Sequence, residues 1–221
     1  MAEQMAQQKK ISSKTVERMS QYRRVLGRLA ESNATHVYSH ELAYLCGLSA
    51  AQVRRDLMTI GFTGSSARGY DVSELLRRVS DFLGFSRERR LALVGIGYLG
   101  RALLDYFVDR NPIFRICAAF DADLDKVDRV IHGVRCYPVD KMGEILRPLQ
   151  VQTGIITVPA SAAQQVAFEL VECGVTGLLN FAPVQLRVPP GVYLENLDLT
   201  SALEKVAYFA GNPADTEREM K

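Results

Sequence analysis

Three glycines at a fixed spacing form the clearest chemical motif of this 221-residue chain. The motif reads Gly95-Ile96-Gly97-Tyr98-Leu99-Gly100. It follows the apolar run 91–94, typical of a buried strand, and opens a segment of helical periodicity. In that setting Gly95 permits a tight turn, Gly97 lets a pyrophosphate approach the backbone, and Gly100 lets helix and strand pack closely. The free N–H groups of the helix favour phosphate, so we expect all six residues to form a dinucleotide site.

An acidic residue ends the next predicted strand. Asp121 follows Gly100 by 21 residues, where a carboxylate accepts hydrogen bonds from the adenine-ribose hydroxyls. Asp123 and Asp125 add negative charge that opposes a ribose 2′-phosphate, so we expect NAD(H) rather than NADP(H). Two alternatives stay open at this point: the turn binds no nucleotide, or it binds another one such as coenzyme A.

Two later segments run from an apolar strand into a proline. They are Thr157-Val158-Pro159 and Asn180-Phe181-Ala182-Pro183. Ligands of doubly wound sheets bind outside the carboxyl ends of the strands, and proline turns the chain away there. We expect Phe181 and Pro159 to form an apolar wall beside the nicotinamide, and Asn180 to form a hydrogen bond with the nicotinamide amide. Ordinary loop chemistry is the alternative for both segments.

A second group of polar side chains lies nearer the amino terminus. Ser49 is typical of a helix N-cap, and the helix after it places Gln52, Arg54 and Arg55 on its polar surface. A short helix and a glycine-containing turn precede it, which predicts a helix-turn-helix over residues 22–61. In the major groove of DNA the arginines contact bases or phosphates and Gln52 reads adenine. A solvated surface is the alternative for each arginine.

The charge distribution and a turn-rich segment agree with a DNA-binding first part. Residues 1–90 hold 15 Lys and Arg against 9 Asp and Glu, a net +6, whereas residues 91–221 carry a net −4. A basic part suits a polyanionic partner. Residues 62–70 have the turn chemistry of a β-hairpin, or wing, from which Arg68 reaches the minor groove.

Strand and helix patterns alternate from Leu91 onward, which predicts an α/β fold. We expect a winged helix-turn-helix domain over residues 1–85, with 1–12 as a flexible tail. A Rossmann-like doubly wound parallel sheet then occupies 86–199, and 200–221 form a C-terminal helix and a polar tail.

Several function classes find no support in the composition. No run of about 18 apolar residues spans a membrane, and the polar start has no signal-peptide pattern, so we expect a cytoplasmic protein. The four cysteines and three histidines show no metal-ligand spacing, and we expect no metal. Only some twenty residues follow the sheet, too few for a substrate domain. We therefore expect no enzyme; an NAD-dependent oxidoreductase with a fused helical domain is the alternative.

Taken together, the motifs resemble the Rex family of redox-sensing transcriptional repressors from about Val16 to Pro213. The segments that carry the resemblance are Gln52-Val53-Arg54-Arg55-Asp56-Leu57, Val94 to Gly100, Phe120-Asp121, Thr157-Val158-Pro159, Asn180-Phe181-Ala182-Pro183 and Glu195-Asn196-Leu197-Asp198.

The resemblance implies a homodimer that binds its operator DNA when NAD+ is present and releases it as NADH accumulates. It implies that the helix after Asp198 swaps into the partner subunit, near the partner's nicotinamide site. Arg24, Tyr106 and Asp198 match positions that link the two domains in this family. The wing departs from the family pattern, which carries a basic residue and several glycines before Gly-Tyr, because residues 64–68 intervene here.

Overall fold

The computed structural model describes four stretches of the chain, residues 11–63, 68–85, 87–108 and 113–212. The chain divides into two compact units, residues 1–87 and 88–221. Most of the predicted flexible tail 1–12 lies outside the described residues, as do the wing tip 64–67 and residues 213–221 of the polar tail.

Helices dominate the described part of the first unit. They are α1 (Ser13–Glu31), α2 (Ser39–Cys46), α3 (Ala50–Thr59) and α4 (Val72–Phe82). The helix starts are capped by side chains: Ser12 Oγ accepts from the Thr15 N–H, and Asp71 Oδ1 accepts from the Glu74 N–H at 2.7 Å. Their apolar faces share one core around Tyr22 and Leu57, both fully buried.

A short antiparallel pair completes the first unit. Strand β1 (His36–Val37) pairs with β2 (Tyr70–Asp71), with Val37 opposite Tyr70. The sequence predicted a hairpin closed within residues 62–70, whereas Tyr70 pairs with the strand before α2. The rings of Phe62 and Tyr70 lie 5.9 Å apart, so the two ends of the wing segment meet through side chains.

Strands and helices alternate in the second unit. The strands are β3 (Arg89–Val94), β4 (Phe114–Asp121), β5 (Val130–Ile131), β6 (Val134–Pro138), β7 (Thr153–Ile156), β8 (Gly177–Asn180) and β9 (Tyr193–Asn196). The helices are α5 (Tyr98–Val108), α6 (Met142–Leu149), α7 (Ala160–Glu172) and α8 (Leu199–Gly211).

The strands form one sheet in the order β5-β6-β4-β3-β7-β8-β9. Every neighbouring pair is parallel except β5 and β6, a small hairpin that the sequence analysis did not predict. The chain runs outward from β3 to β6 and then crosses to β7 on the other side of β3. This reversal is the topological switch point of a doubly wound sheet, where ligands bind.

Side chains on both faces of the central strands are buried. Leu93 and Ile155 pack with Leu104 of α5 on one face, and Val94 and Ile156 pack toward α6 and α7 on the other. Such double burial explains why the strands read as continuous apolar runs. The predicted α/β class, with an N-terminal winged helix and a Rossmann-like parallel sheet, is confirmed.

Candidate nucleotide site and nucleic-acid interface

The strand register brings four predicted segments to one edge of the sheet. Val94 lies opposite both Phe120 and Ile156, and Ile156 lies opposite Asn180. The next residues along these strands therefore lie side by side at this edge of the sheet: Gly95, Asp121, Thr157 and Phe181. Segments separated by up to 86 residues in the sequence thus meet at the switch point.

The glycine turn is packed tightly on two sides and open on the third. Gly95 has φ +97°, and a Cβ there would lie 2.6 Å from the Thr157 carbonyl oxygen. A Cβ on Gly100 would collide with the Gly95 carbonyl oxygen. A Cβ on Gly97 meets nothing within 4 Å, so this residue faces open space. These are the steric conditions that the motif predicts for a phosphate approaching Gly97 at the start of α5.

Thr157 ties the turn to the neighbouring strand. Its hydroxyl donates to the Gly95 carbonyl oxygen at 2.7 Å, and its N–H donates to the Val94 carbonyl oxygen at 2.9 Å. The sequence predicted Thr157 as a residue bordering the ligand, and it lies at the cleft. Its hydrogen bonds show that it also fixes the conformation of the glycine turn.

Asp121 lies beside the turn with its carboxylate held by backbone groups. The Ile96 N–H donates to Oδ2 at 2.6 Å and the Asp123 N–H donates to Oδ1 at 2.9 Å. The Lys126 ammonium lies 3.3 Å from Oδ2. The residue is 9% exposed and lines the cleft, at the place where the motif predicts the adenine ribose.

These segments line a cleft of about 880 Å³, within the range of small-molecule sites. Predicted site residues that line it are Gly95, Gly97, Leu99, Asp121, Thr157, Val158, Pro159, Phe181, Ala182 and Pro183. Lining residues that the sequence analysis did not single out for binding include Lys126, Val139, Ala162, Gln165, Val166 and Glu169. The four α7 residues among them lie on one side of that helix. Their helical spacing identifies them as lining residues only after the fold has shown that α7 borders the cleft.

Two residues of the glycine motif do not present side chains to the cleft. Ile96 is fully buried, and its N–H is already bonded to Asp121. The Tyr98 side chain is 98% exposed and is not among those that line the cleft. Ile96 therefore supports the site through its N–H bond to Asp121, and the predicted contribution of Tyr98 is confined to its backbone at the start of α5. Gly100 likewise serves helix packing, as the motif predicts.

Asn180 also requires a correction. It is fully buried, and its amide nitrogen donates to the carbonyl oxygens of Ala182 and Val184 and to Oδ1 of Asn196. Its amide oxygen accepts from the Ala182 N–H at 3.0 Å. Because the whole amide is bonded within the protein, Asn180 holds the 181–184 loop in place and does not bond the nicotinamide amide.

The first unit contains the predicted helix pair. Helix α2 ends at Gly47, a left-handed residue with φ +64°, and Ser49 Oγ then caps α3 by accepting from the Gln52 N–H at 3.2 Å. Arg54 and Arg55 are exposed on α3, and Arg54 reaches Ser39 Oγ at 3.0 Å. Arg68 is exposed next to the wing tip, which lies outside the described residues.

A buried carboxylate joins α1 to α3. Arg18 donates to both oxygens of Asp56, at 2.6 and 2.7 Å, and the Tyr22 hydroxyl donates at 2.8 Å. Asp56 is 3% exposed. Burial raises the pKa of Asp56, but the hydrogen bonds from Arg18, Tyr22 and Gln52 outweigh it, so the pKa lies below its usual range. Sequence reasoning used Asp56 only as part of a motif; its position on the apolar side of α3 was the available signal.

This cluster changes the role of Gln52. Its amide nitrogen donates to Asp56 Oδ1 at 2.8 Å, and the side chain is half-buried. The predicted outward orientation of Gln52 is corrected, because an i,i+4 acceptor turns its amide inward; its contact with adenine stays a prediction. Arg54 and Arg55 remain the outward-pointing side chains.

Helix α8 lies almost wholly exposed on its unit. Asp198 Oδ1 caps it by accepting from the N–H groups of Thr200 and Ser201. No residue of α8 is buried. The exposed side chains include three apolar ones, Leu199, Leu203 and Val206, each at least 60% exposed. Tyr106 is 53% exposed and Arg24 is exposed, each on its own unit.

Within ranges 11–63, 68–85, 87–108 and 113–212, no helix has the length and apolar character to cross a membrane. In the same ranges no three metal-ligating side chains of the His, Cys, Asp and Glu types converge.

Two family models match separate parts of the chain. A CoA binding domain matches residues 86–184, and a model described as a putative DNA-binding protein N-terminus matches residues 10–57. The putative DNA-binding match lies within the first unit, and the CoA binding match begins at residue 86, close to the start of the second unit at residue 88.

Curated relatives match nearly the whole chain. The redox-sensing transcriptional repressor Rex of Syntrophobacter fumaroxidans is 42% identical over 90% of this chain and 95% of the relative. That of Carboxydothermus hydrogenoformans is 41% identical over 90% and 96%.

Solved structures match over the same length. RSP, a Rex-family repressor, in complex with beta-NAD+ and operator DNA gives a TM-score of 0.86 at 28% identity, covering 95% of this chain and 96% of RSP. RSP in complex with beta-NADH gives 0.82 at 28% identity, covering 97% and 100%. The chain belongs to the Rex family of redox-sensing transcriptional repressors.

Proposed function

We propose that this chain is an operator-binding repressor that holds NAD+ or NADH in the cleft of its second unit and releases DNA when NADH is bound. The observation that carries the proposal is the glycine turn with Asp121 at the switch point, on the same chain as a capped helix-turn-helix. RSP, similar over its whole length, has been solved with beta-NAD+ and operator DNA and with beta-NADH.

In this proposal Gly97 and the first turn of α5 hold the pyrophosphate, and Asp121 accepts from the adenine-ribose hydroxyls. The apolar wall of Val158, Pro159 and Phe181 borders the nicotinamide. The ring of NAD+ is positively charged and that of NADH is neutral, so one closely packed wall interacts differently with the two. A ligand shifts a two-state equilibrium only by its differential affinity for the two states.

Ser49, Arg54, Arg55 and Arg68 form the proposed DNA contacts. The cap at Ser49 orients the first turn of α3, and its two arginines present guanidinium groups suited to guanine edges and phosphates. Arg55→Ala should weaken specific operator binding by roughly 1–3 kcal/mol if that side chain reads a base. An unchanged affinity in an electrophoretic mobility assay would place the reading face elsewhere on α3.

The exposed apolar side of α8 supports a homodimer in which this helix packs on a partner subunit. Burying Leu203 and Val206, which are 68% and 65% exposed in the isolated chain, supplies the driving force. We assign Arg24, Tyr106 and Asp198 to communication between the units of such a dimer. Light scattering should give a dimer mass, and Leu203→Glu should shift the chain toward a monomer.

The decisive measurement is operator affinity with saturating NAD+ and with saturating NADH. NAD+ should permit tight binding and NADH should weaken it; equal affinities would refute the sensor function. The proposal also assigns a regulatory rather than an enzymatic role. Steady NADH oxidation with any carbonyl compound in a broad screen would contradict that part and favour an oxidoreductase.

A further inference from the structure

The environment of Asp121 contains a cation that the proposed function leaves unused. The Lys126 ammonium lies 3.3 and 3.4 Å from the two oxygens of Asp121 and 3.2 Å from Asp123 Oδ2. Its side chain is 25% exposed and lines the nucleotide cleft. One lysine therefore bridges two carboxylates at the place where the adenine ribose would bind.

The hydrogen-bond capacity of Asp121 makes this bridge consequential. A carboxylate offers about four lone-pair positions. Backbone N–H groups of Ile96 and Asp123 already take one position on each oxygen. The Lys126 ammonium lies near the remaining lone-pair positions, and two ribose hydroxyls would need the same positions. Ribose binding at Asp121 therefore requires Lys126 to withdraw, and Asp123 is the second carboxylate that keeps it nearby.

We propose that Lys126 is a specificity-determining residue whose ammonium, held beside the ribose 2′ position by Asp123, sets how strongly the cleft rejects a 2′-phosphate. This inference rests on the proposed dinucleotide function of the cleft. Asp121 and Asp123 repel a 2′-phosphate, and Lys126 cancels part of that repulsion. The negative charge of the site is therefore smaller than its aspartates alone indicate, and the preference for NAD(H) is partial.

The protonation state supports a charged lysine in this role. Burial lowers the pKa of Lys126, but hydrogen bonds and charge from Asp123 and Asp121 more than offset it and raise the pKa above its usual value. The pKa of Asp123 is lowered, chiefly by the Asp125 N–H and by Lys126. Lys126 and Asp123 are therefore both charged at neutral pH.

The experiment compares NADH and NADPH binding by nicotinamide fluorescence in the full chain at low salt. Lys126→Gln should weaken NADPH binding about fivefold relative to NADH binding, since both nucleotides meet a freed Asp121 but only NADPH loses the attraction of the ammonium for its 2′-phosphate. Asp123→Asn should strengthen NADPH binding about fivefold, because it removes a repelling carboxylate and frees Lys126. Both changes should shrink in 0.5 M salt, since exposed charges are screened.

Lys141→Gln is the matched control, because Lys141 is exposed in the same unit, lies outside the cleft lining and loses the same charge. It should leave both affinities unchanged. Equal changes for NADH and NADPH in Lys126→Gln, or weaker NADPH binding in Asp123→Asn, would overturn the inference while leaving the proposed function intact. A wild-type chain that binds neither dinucleotide would instead overturn the proposed function itself.

Discussion

Two nearly buried aspartates, one in each unit, are used in opposite ways. Asp56 is 3% exposed and bonds to three side chains of its own unit: Arg18, Tyr22 and Gln52. Asp121 is 9% exposed and bonds to two backbone N–H groups and a lysine at the rim of a cleft. Degree of burial does not separate these roles. The partners do, because a lysine at a cleft can withdraw for a ligand whereas an interior network cannot.

The largest effect should come from breaking the interior network. Asp56→Ala leaves the Arg18 guanidinium and the Tyr22 hydroxyl without their acceptor, which should destabilise the first unit by about 3–5 kcal/mol. Hydrogen–deuterium exchange should show lost protection in α1 and α3 and unchanged protection in β3 and β7. The neighbouring Arg55→Ala is the control, since an exposed side chain should change stability by less than about 0.5 kcal/mol. Comparable losses in both variants would refute the structural role of Asp56.

The next effect tests the open side of the glycine turn. Gly97→Ala should fold normally, because its Cβ meets nothing in the protein, yet weaken NADH binding by about 2 kcal/mol, roughly thirtyfold. The added methyl group would occupy the path of the phosphate to the backbone. Gly27→Ala makes the same change in α1, also without a contact within 4 Å, and should leave NADH affinity unaltered. If Gly97→Ala binds NADH with wild-type affinity, the phosphate does not bind at this turn.

Asp121→Ala should weaken binding less than Gly97→Ala, and it should lower the free energy of unfolding by about 1–3 kcal/mol because the buried Ile96 N–H loses its acceptor. Loss of an acceptor for the ribose hydroxyls should weaken NADH binding by about 1.4 kcal/mol, or tenfold. NADPH should lose less affinity, since its 2′-phosphate is no longer repelled by the carboxylate. The difference in affinity between NADH and NADPH should therefore become smaller. Calorimetric titration with both nucleotides measures this. A gap that stays the same would mean that Asp121 does not contact the ribose.

The smallest effect concerns acid stability. The folded pKa of Asp56 is below its unfolded value of about 3.9, so its stabilisation is complete above that pH. As the pH falls toward the folded pKa, the unfolded chain takes up a proton that the folded chain resists, and this stabilisation is lost. The free energy of unfolding should therefore depend less steeply on pH below 4 in Asp56→Asn than in wild type. If the free energies of unfolding of the two proteins change in parallel below pH 4, the pKa of Asp56 is not lowered in the folded chain.

The positions of the elements were predictable from local pattern. Apolar runs such as 91–94 give strands because a parallel sheet buries both faces, and Ser49 and Gly47 bound helices because capping is decided within a few residues. The glycine spacing likewise identified the turn, since each glycine answers a steric demand of its immediate surroundings. The helix-turn-helix and its order before the sheet followed from the same local patterns.

Side-chain direction and partner choice depended on the tertiary structure. Gln52 and Asn180 are polar residues in positions typical of ligand contacts, but each is turned inward by an acceptor or donor within its own unit. The pairing of Tyr70 with Val37 crosses 33 residues and leaves no local signal.

By itself, then, the sequence determined the two-domain organisation, the α/β class, the glycine turn and the acid that ends the second strand of the sheet. Only the tertiary structure decided which polar groups form hydrogen bonds within the protein and which face a ligand. It brought Lys126 against Asp121 and Asp123, and Arg18 against Asp56. The physical reason is that helix and strand periodicity is set by neighbours in the chain, whereas the last hydrogen bonds of a carboxylate are made by whichever groups the packing brings within about 3 Å.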